Sequence, residues 1–177
     1  YINSAQQLVA EHFGAGEMFP VVFAGMALFL ACTNFVNSTI VQKFGARRVS
    51  HTALFAYIAV ATVHLIFAMR GETLWTFIPF MTASFCLMAF ITANFQSISL
   101  QPFARSAGSA ASVMAFVRLL LGASLGSLIG HAYDNTPRPL IGSMVVAGIG
   151  ALLLVLYSER GRLFRRINYP PAVSSNG

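Results

Sequence analysis

Arg118 stands near the middle of the apolar run Gly108 to Gly130, the one of the chain's 11 Lys and Arg to fall inside a predicted membrane span. Placing a guanidinium at that depth costs roughly 2.5–3.5 kcal/mol on insertion scales, so it needs a partner or a purpose. Two fates are open. It faces a watery cavity, where it would bind an anionic group or shape the local field, or it bonds carbonyls and amides of neighbouring helices. Side-chain amides raise the same question. Asn34, Asn37, Ser38 and Thr39 sit towards one end of the first apolar run, and Thr92, Asn94, Gln96 and Ser97 towards one end of the third. They could hydrogen-bond a ligand or tie helices together, a tie being worth about 0.6 kcal/mol in membrane proteins. Asn94 lies one helical turn from Phe90 on a possible cavity face. Arg118, Asn94, Phe90 and Asn34 are therefore the candidate residues for a substrate cavity.

The remaining chemistry is sparse. Glu11, Glu17, Glu72, Asp134 and Glu159 all fall outside the apolar runs, so no carboxylate is expected at membrane depth to exchange protons. His64 lies within the second run and has no acidic neighbour in sequence; it is expected to bond a neighbouring helix and not to relay protons. Cys32 and Cys86 have no metal-ligand or redox spacing and read as small packing residues. No nucleophile elbow, HExxH, GxxxxGK[ST] or deep carboxylate pair occurs. An enzyme is not expected, nor a cofactor or a metal.

The elements that position these residues follow from composition. Hydrophobic residues make up 56% of the chain and charged ones 9%, too few charges to clothe a water-facing surface, which carries about 25% in soluble domains. The fold class is all-α integral membrane, with the lipid bilayer as solvent. About 20 apolar residues are needed per crossing, and five segments qualify: Met18 to Val41, Thr52 to Met69, Leu74 to Ser97, Gly108 to Gly130 and Pro139 to Tyr157. Residues 1–17 read as an external aqueous lead-in after a missing or truncated helix, 18–157 as the bundle, and 158–177 as a basic tail. Lys43, Arg47, Arg48, Arg105, Arg160, Arg162, Arg165 and Arg166 collect on one side, and Arg70 and Arg138 on the other. By the positive-inside rule the carboxyl terminus is cytoplasmic. The net charge of +6 is spread between apolar runs and does not suggest nucleic acid. Gly122, Gly126 and Gly130 form a small-residue stripe suited to close helix packing, or to sliding, and the fourth helix is expected inside the bundle. An external start, an odd number of spans and an opening at Tyr1 lead to the expectation of further helices upstream.

Between the first two spans runs Asn37-Ser-Thr-Ile-Val-Gln-Lys-Phe-Gly45-Ala-Arg-Arg48. It resembles the degenerate second copy of the cytoplasmic loop motif of major facilitator transporters, Gly-x-Leu-x-Asp-Arg-x-Gly-Arg-Arg/Lys. Gly45 matches the second Gly and Arg47 the final base, with Arg48 following. Ser38 replaces the first Gly and Gln42 the acid, so the usual charged latch is not expected in this half. The run Ala93-Asn-Phe-Gln-Ser-Ile-Ser-Leu-Gln-Pro-Phe-Ala-Arg105-Ser-Ala-Gly-Ser-Ala-Ala-Ser112 is similar to the tenth helix, loop and eleventh helix of bicyclomycin/chloramphenicol-resistance type drug antiporters. Glu11-His-Phe-Gly-Ala-Gly-Glu-Met-Phe is similar to their loop between helices seven and eight.

The resemblance covers almost the whole chain and implies helices eight to twelve of a twelve-helix fold in the inner membrane of a bacterium. It further implies proton-coupled efflux of hydrophobic drugs or small molecules, with substrate bound near the midplane between two halves. The essential acid of such antiporters sits in the amino-terminal six-helix half, the implied partner. The residues also allow a non-transporting membrane scaffold or assembly subunit, in which Arg118 and the amides serve only to join helices.

Overall fold

The computed structural model describes residues 13–14, 16–131 and 136–159. The expectations for residues 1–12, Asp134 and the tail beyond Glu159 lie outside these. The described chain is helical and contains no strand. Five helices carry it: α1 Phe19–Phe44, α2 Ala46–Arg70, α3 Leu74–Leu100, α4 Ala107–His131 and α5 Arg138–Ser158. Their lengths of 21 to 27 residues correspond to about 31–40 Å at about 1.5 Å per residue, against a hydrocarbon core of about 30 Å. All five are long and apolar enough to cross a membrane.

Helix α2 begins at Ala46, six residues before the start that hydropathy suggests, and the expected loop Gln42 to His51 shrinks to Gly45. Arg47, Arg48, Ser50 and His51 lower the hydropathy of the first turns without opposing helix formation, so apolarity is a poor guide to this boundary. The break is set by backbone geometry. Gly45 adopts φ 84° and ψ 145°, a region nearly closed to residues with a Cβ. Its N–H donates to the Val41 carbonyl at 2.8 Å, and its own carbonyl accepts from Val49 N–H at 3.2 Å. One residue thus ends α1 and starts α2. At the other end of α2 the link to α3 is Gly71–Thr73, where Gly71 also has positive φ and Thr73 N–H donates to Thr76 Oγ1 at 3.1 Å. A 3₁₀ turn, Gln101–Ser106, joins α3 to α4.

Helix α2 is the centre of the bundle. Its buried residues Ser50, Ala53, Leu54, Tyr57, Ala61, His64 and Ala68 recur every three or four positions, which places them on one face. That face packs most extensively on α3 and then on α5. At the Gly71 end, Ala68, Phe77, Met81, Leu140 and Ile141 form a continuous core. Arg138, at the start of α5, donates Nε–H to the Ala68 carbonyl at 3.3 Å, placing a cation where the last carbonyls of α2 lack intrahelical partners. Closer to mid-bundle, Gly148 of α5 lets that helix approach: a Cβ there would stand 3.0 Å from Ile58 and 3.1 Å from Tyr57.

Helix α4 differs from expectation. It has no buried residue, and a Cβ built on Gly122, Gly126 or Gly130 would meet nothing within 4 Å. Small residues permit a close neighbour but do not supply one. Among the described residues no helix lies in that seam, and α4 touches α3 and α5 only lightly.

These contrasts predict an order of stability in detergent-solubilised protein. Gly148→Val should cost about 1–3 kcal/mol through overpacking, and Gly45→Ala about 1–3 kcal/mol through backbone strain. Gly122→Ala should stay within about 0.5 kcal/mol of the parent. Thermal melts followed by circular dichroism measure all three, and a cost at Gly122 equal to that at Gly148 would contradict the open seam.

Candidate functional site

Two cavities flank α3 near the Gly45 end. The smaller, of about 300 Å³, lies between α3 and α4 and is lined by Ile91, Thr92, Phe95, Gln96 and Ser99 from one helix and Met114, Ala115 and Arg118 from the other. Residues 92, 95, 96 and 99 follow helical spacing, so α3 presents a mixed aromatic and hydroxyl stripe to this space. Arg118 is the twelfth of the 25 residues of α4, which puts its Cα near mid-span. Its Nη1 donates to Gln96 Oε1 at 3.4 Å, a long contact for a group with five N–H donors. The guanidinium is exposed to the cavity side of α4. It is therefore left with capacity for an anionic or carbonyl-bearing guest, or for water.

The larger cavity, about 430 Å³, lies across α3 between α1 and α2. Phe90 and Leu87 line it with Ile40, Phe44, Val49, Ala53 and Arg48. Phe90 and Arg118 thus belong to different spaces. Asn94 lines neither. It is buried on α3, and its Nδ2 donates to Asn37 Oδ1 at 3.0 Å and to the Phe90 carbonyl at 2.7 Å. The first of these bonds ties α3 to α1. Asn34 is exposed, and its Nδ2 donates to the Leu30 carbonyl of its own helix at 3.0 Å. Of the four cavity candidates, the structure puts Arg118 in one cavity, Phe90 in the other, Asn94 in a helix tie and Asn34 on the outer face of α1.

Around Gly45 the loop arginines take separate roles. Arg47 Nη1 donates to Glu159 Oε2 at 3.0 Å, both side chains being about a quarter exposed or less. The acid of this pair comes from just past the end of α5, 112 positions from Arg47. A partly exposed pair of this kind contributes at most about 1 kcal/mol; its consequence is to hold the start of α2 against the end of α5.

One expectation is corrected outright. Glu72 belongs to the Gly71–Thr73 link, yet its carboxylate turns inward: Oε1 lies 2.7 Å from His64 Nε2, with both side chains 0% exposed. His64 does have an acidic neighbour, and a carboxylate is buried beside a membrane-spanning helix. Glu72 lies beyond the end of α2, and the positive φ of Gly71 turns the chain so that its side chain reaches back to His64. Helical spacing does not relate the two positions, so nothing in the sequence signals the contact.

No family model matches the chain, and neither a curated protein nor a solved structure matches it. The class is set by the five spans alone: an all-helical membrane protein.

The amide tie gives a measurable pair. In a cycle of Asn37→Leu, Asn94→Leu and the double variant, the coupling energy should be about 0.6 kcal/mol and no more than about 1.7 kcal/mol, the range of interhelical bonds in membrane proteins. Strictly additive losses in unfolding experiments would show that the bond at 3.0 Å contributes nothing.

Proposed function

We propose that the chain is the carboxy-terminal half of a secondary transporter of the major facilitator type, its five helices corresponding to helices eight to twelve. In this reading it exports hydrophobic small molecules in exchange for protons. The observation that carries it is Arg118: a mid-span guanidinium on the wall of an open cavity, on the helix with the least protein around it. Such a residue is costly to insert and is satisfied here by one long contact to Gln96. A second helical half packed against α4 would turn that cavity into a chamber between halves and would fill the seam of Gly122, Gly126 and Gly130. The resemblance of Ala93 to Ser112 supports the same arrangement, as does the charge asymmetry, which by the positive-inside rule favours a cytoplasmic Gly45 end.

The lining bears on the cargo. Phe95, Ile91 and Met114 offer apolar contact, Thr92 and Ser99 offer hydroxyls, and Arg118 makes the space positive. Neutral and weakly acidic aromatic compounds fit this chemistry better than cations, because the Arg118 guanidinium on the cavity wall repels a second positive charge. The alternative, a scaffold without transport, draws on Asn94, whose amide joins helices instead of facing a cavity.

Efflux of a neutral or weakly acidic fluorescent aromatic dye from cells expressing the complete gene tests the reading. Export should stop when the proton gradient is collapsed, and Arg118→Ala should reduce it at least tenfold at equal membrane abundance, the equivalent of about 1.4 kcal/mol. Normal export by Arg118→Ala would remove Arg118 from the cargo path. Loss of the variant from the membrane, with no export by the parent, would favour the scaffold.

A further inference from the structure

His64 and Glu72 form a closed titratable pair that the cavity does not use. His64 sits on the buried stripe of α2 with no exposed surface, its ring stacked on Phe80 at 5.1 Å and tilted against Phe77 at 5.7 Å. Glu72 reaches it from the short link that begins at Gly71, whose φ of 96° turns the chain back over the end of α2. The contact of 2.7 Å joins Nε2 to Oε1. The approach is close enough for an ion pair but lacks hydrogen-bond geometry, and among the described residues neither nitrogen of His64 nor either oxygen of Glu72 has a hydrogen-bond partner. The pair is buried, flanked by aromatic rings and unsatisfied by any group other than each other.

We propose that the His64–Glu72 pair is a proton-binding site that holds the Gly71–Thr73 link against the bundle. With one proton between them the two groups are neutral overall, whether written as imidazolium and carboxylate or as imidazole and carboxylic acid. A second proton, taken from water by the carboxylate, leaves a net positive charge in an apolar pocket; loss of the first leaves a net negative one. A net charge of either sign is costly in a pocket closed to water. Water must then reach the pair, and the shortest route is for the link to swing outward with the first turn of α3. Among the described residues, the charged and titratable groups at this end, by element, are Arg70 on α2, Arg138 on α5, His131 on α4 and Glu17 before α1. Arg138 is engaged with the Ala68 carbonyl, one turn along α2 from His64. As the coupling site of this half, the pair rests on the transporter reading; as a proton-binding site it does not.

Trp75, the single tryptophan of the sequence, sits in the first turn of α3, three residues beyond Glu72, and reports on the link. In lipid nanodiscs its emission, recorded from about pH 4 to about pH 9, should show a step. The step should vanish in both His64→Gln and Glu72→Gln and persist in His131→Gln. Hydrogen exchange at residues 71–73 of the unaltered chain should rise across the same interval, a measurement that needs no variant to fold. A flat emission profile with unchanged exchange, or a step that survives in both His64→Gln and Glu72→Gln, would overturn the proposal. A step without export of any dye sinks the transporter reading and leaves the proton site standing. Gradient-driven export with no step does the reverse.

Discussion

Lipid supplies no hydrogen bonds, so every polar group carried to membrane depth must be met by protein or by water that the protein admits. That constraint orders this bundle. Backbone groups are satisfied within five helices, several Ser, Thr and Asn side chains bond carbonyls of their own helix, and three contacts between elements show three further solutions. Asn94 meets Asn37 across α1 and α3. His64 meets Glu72 beneath the α2–α3 link. Arg118 is met by Gln96 at 3.4 Å and otherwise faces a cavity. The first solution is complete and fixes two helices. The second is closed to water but incomplete. The third remains open.

The same ordering separates rigid from adaptable parts. Helix α2 is held on two faces, by the core of Phe77, Met81, Leu140 and Ile141 and by the close approach of Gly148. Its two ends are pinned by charge: Arg47 to Glu159 at the start, Arg138 to the Ala68 carbonyl at the finish. Helix α4 has no such ties, and its Arg118 makes one long contact, to Gln96. The bundle is thus a platform of α2, α3 and α5 beside a lightly held α4.

The five spans were legible because a bilayer demands a length and an apolarity that few other settings do. The depth of Arg118 followed from its place in the fourth run. Helix ends were less legible: the polar first turns of α2 looked like loop, and the conformation of Gly45, which sets the break, is invisible to hydropathy. Glycine spacing pointed to the seam at Gly122, whereas the glycine that admits a neighbour is Gly148. Spacing shows which face could accept a helix and is silent on whether one is there. Glu72 was read by its location in a link, and location does not reveal the direction of a side chain. A buried carboxylate eight residues from a buried His is a pattern of three dimensions.

The central claim is that Arg118 lines a water-filled space at mid-span, and thiol labelling tests it most directly. With Cys32 and Cys86 replaced by Ala, single cysteines would be placed by Met114→Cys and Arg118→Cys on the cavity side of α4. Leu120→Cys, two residues on and about 200° around the helix, marks the opposite side. In native membranes a charged, water-soluble thiol reagent should modify the first two readily and the third slowly. Equal protection of all three would contradict the account, since it would leave Arg118 in a space that water does not reach.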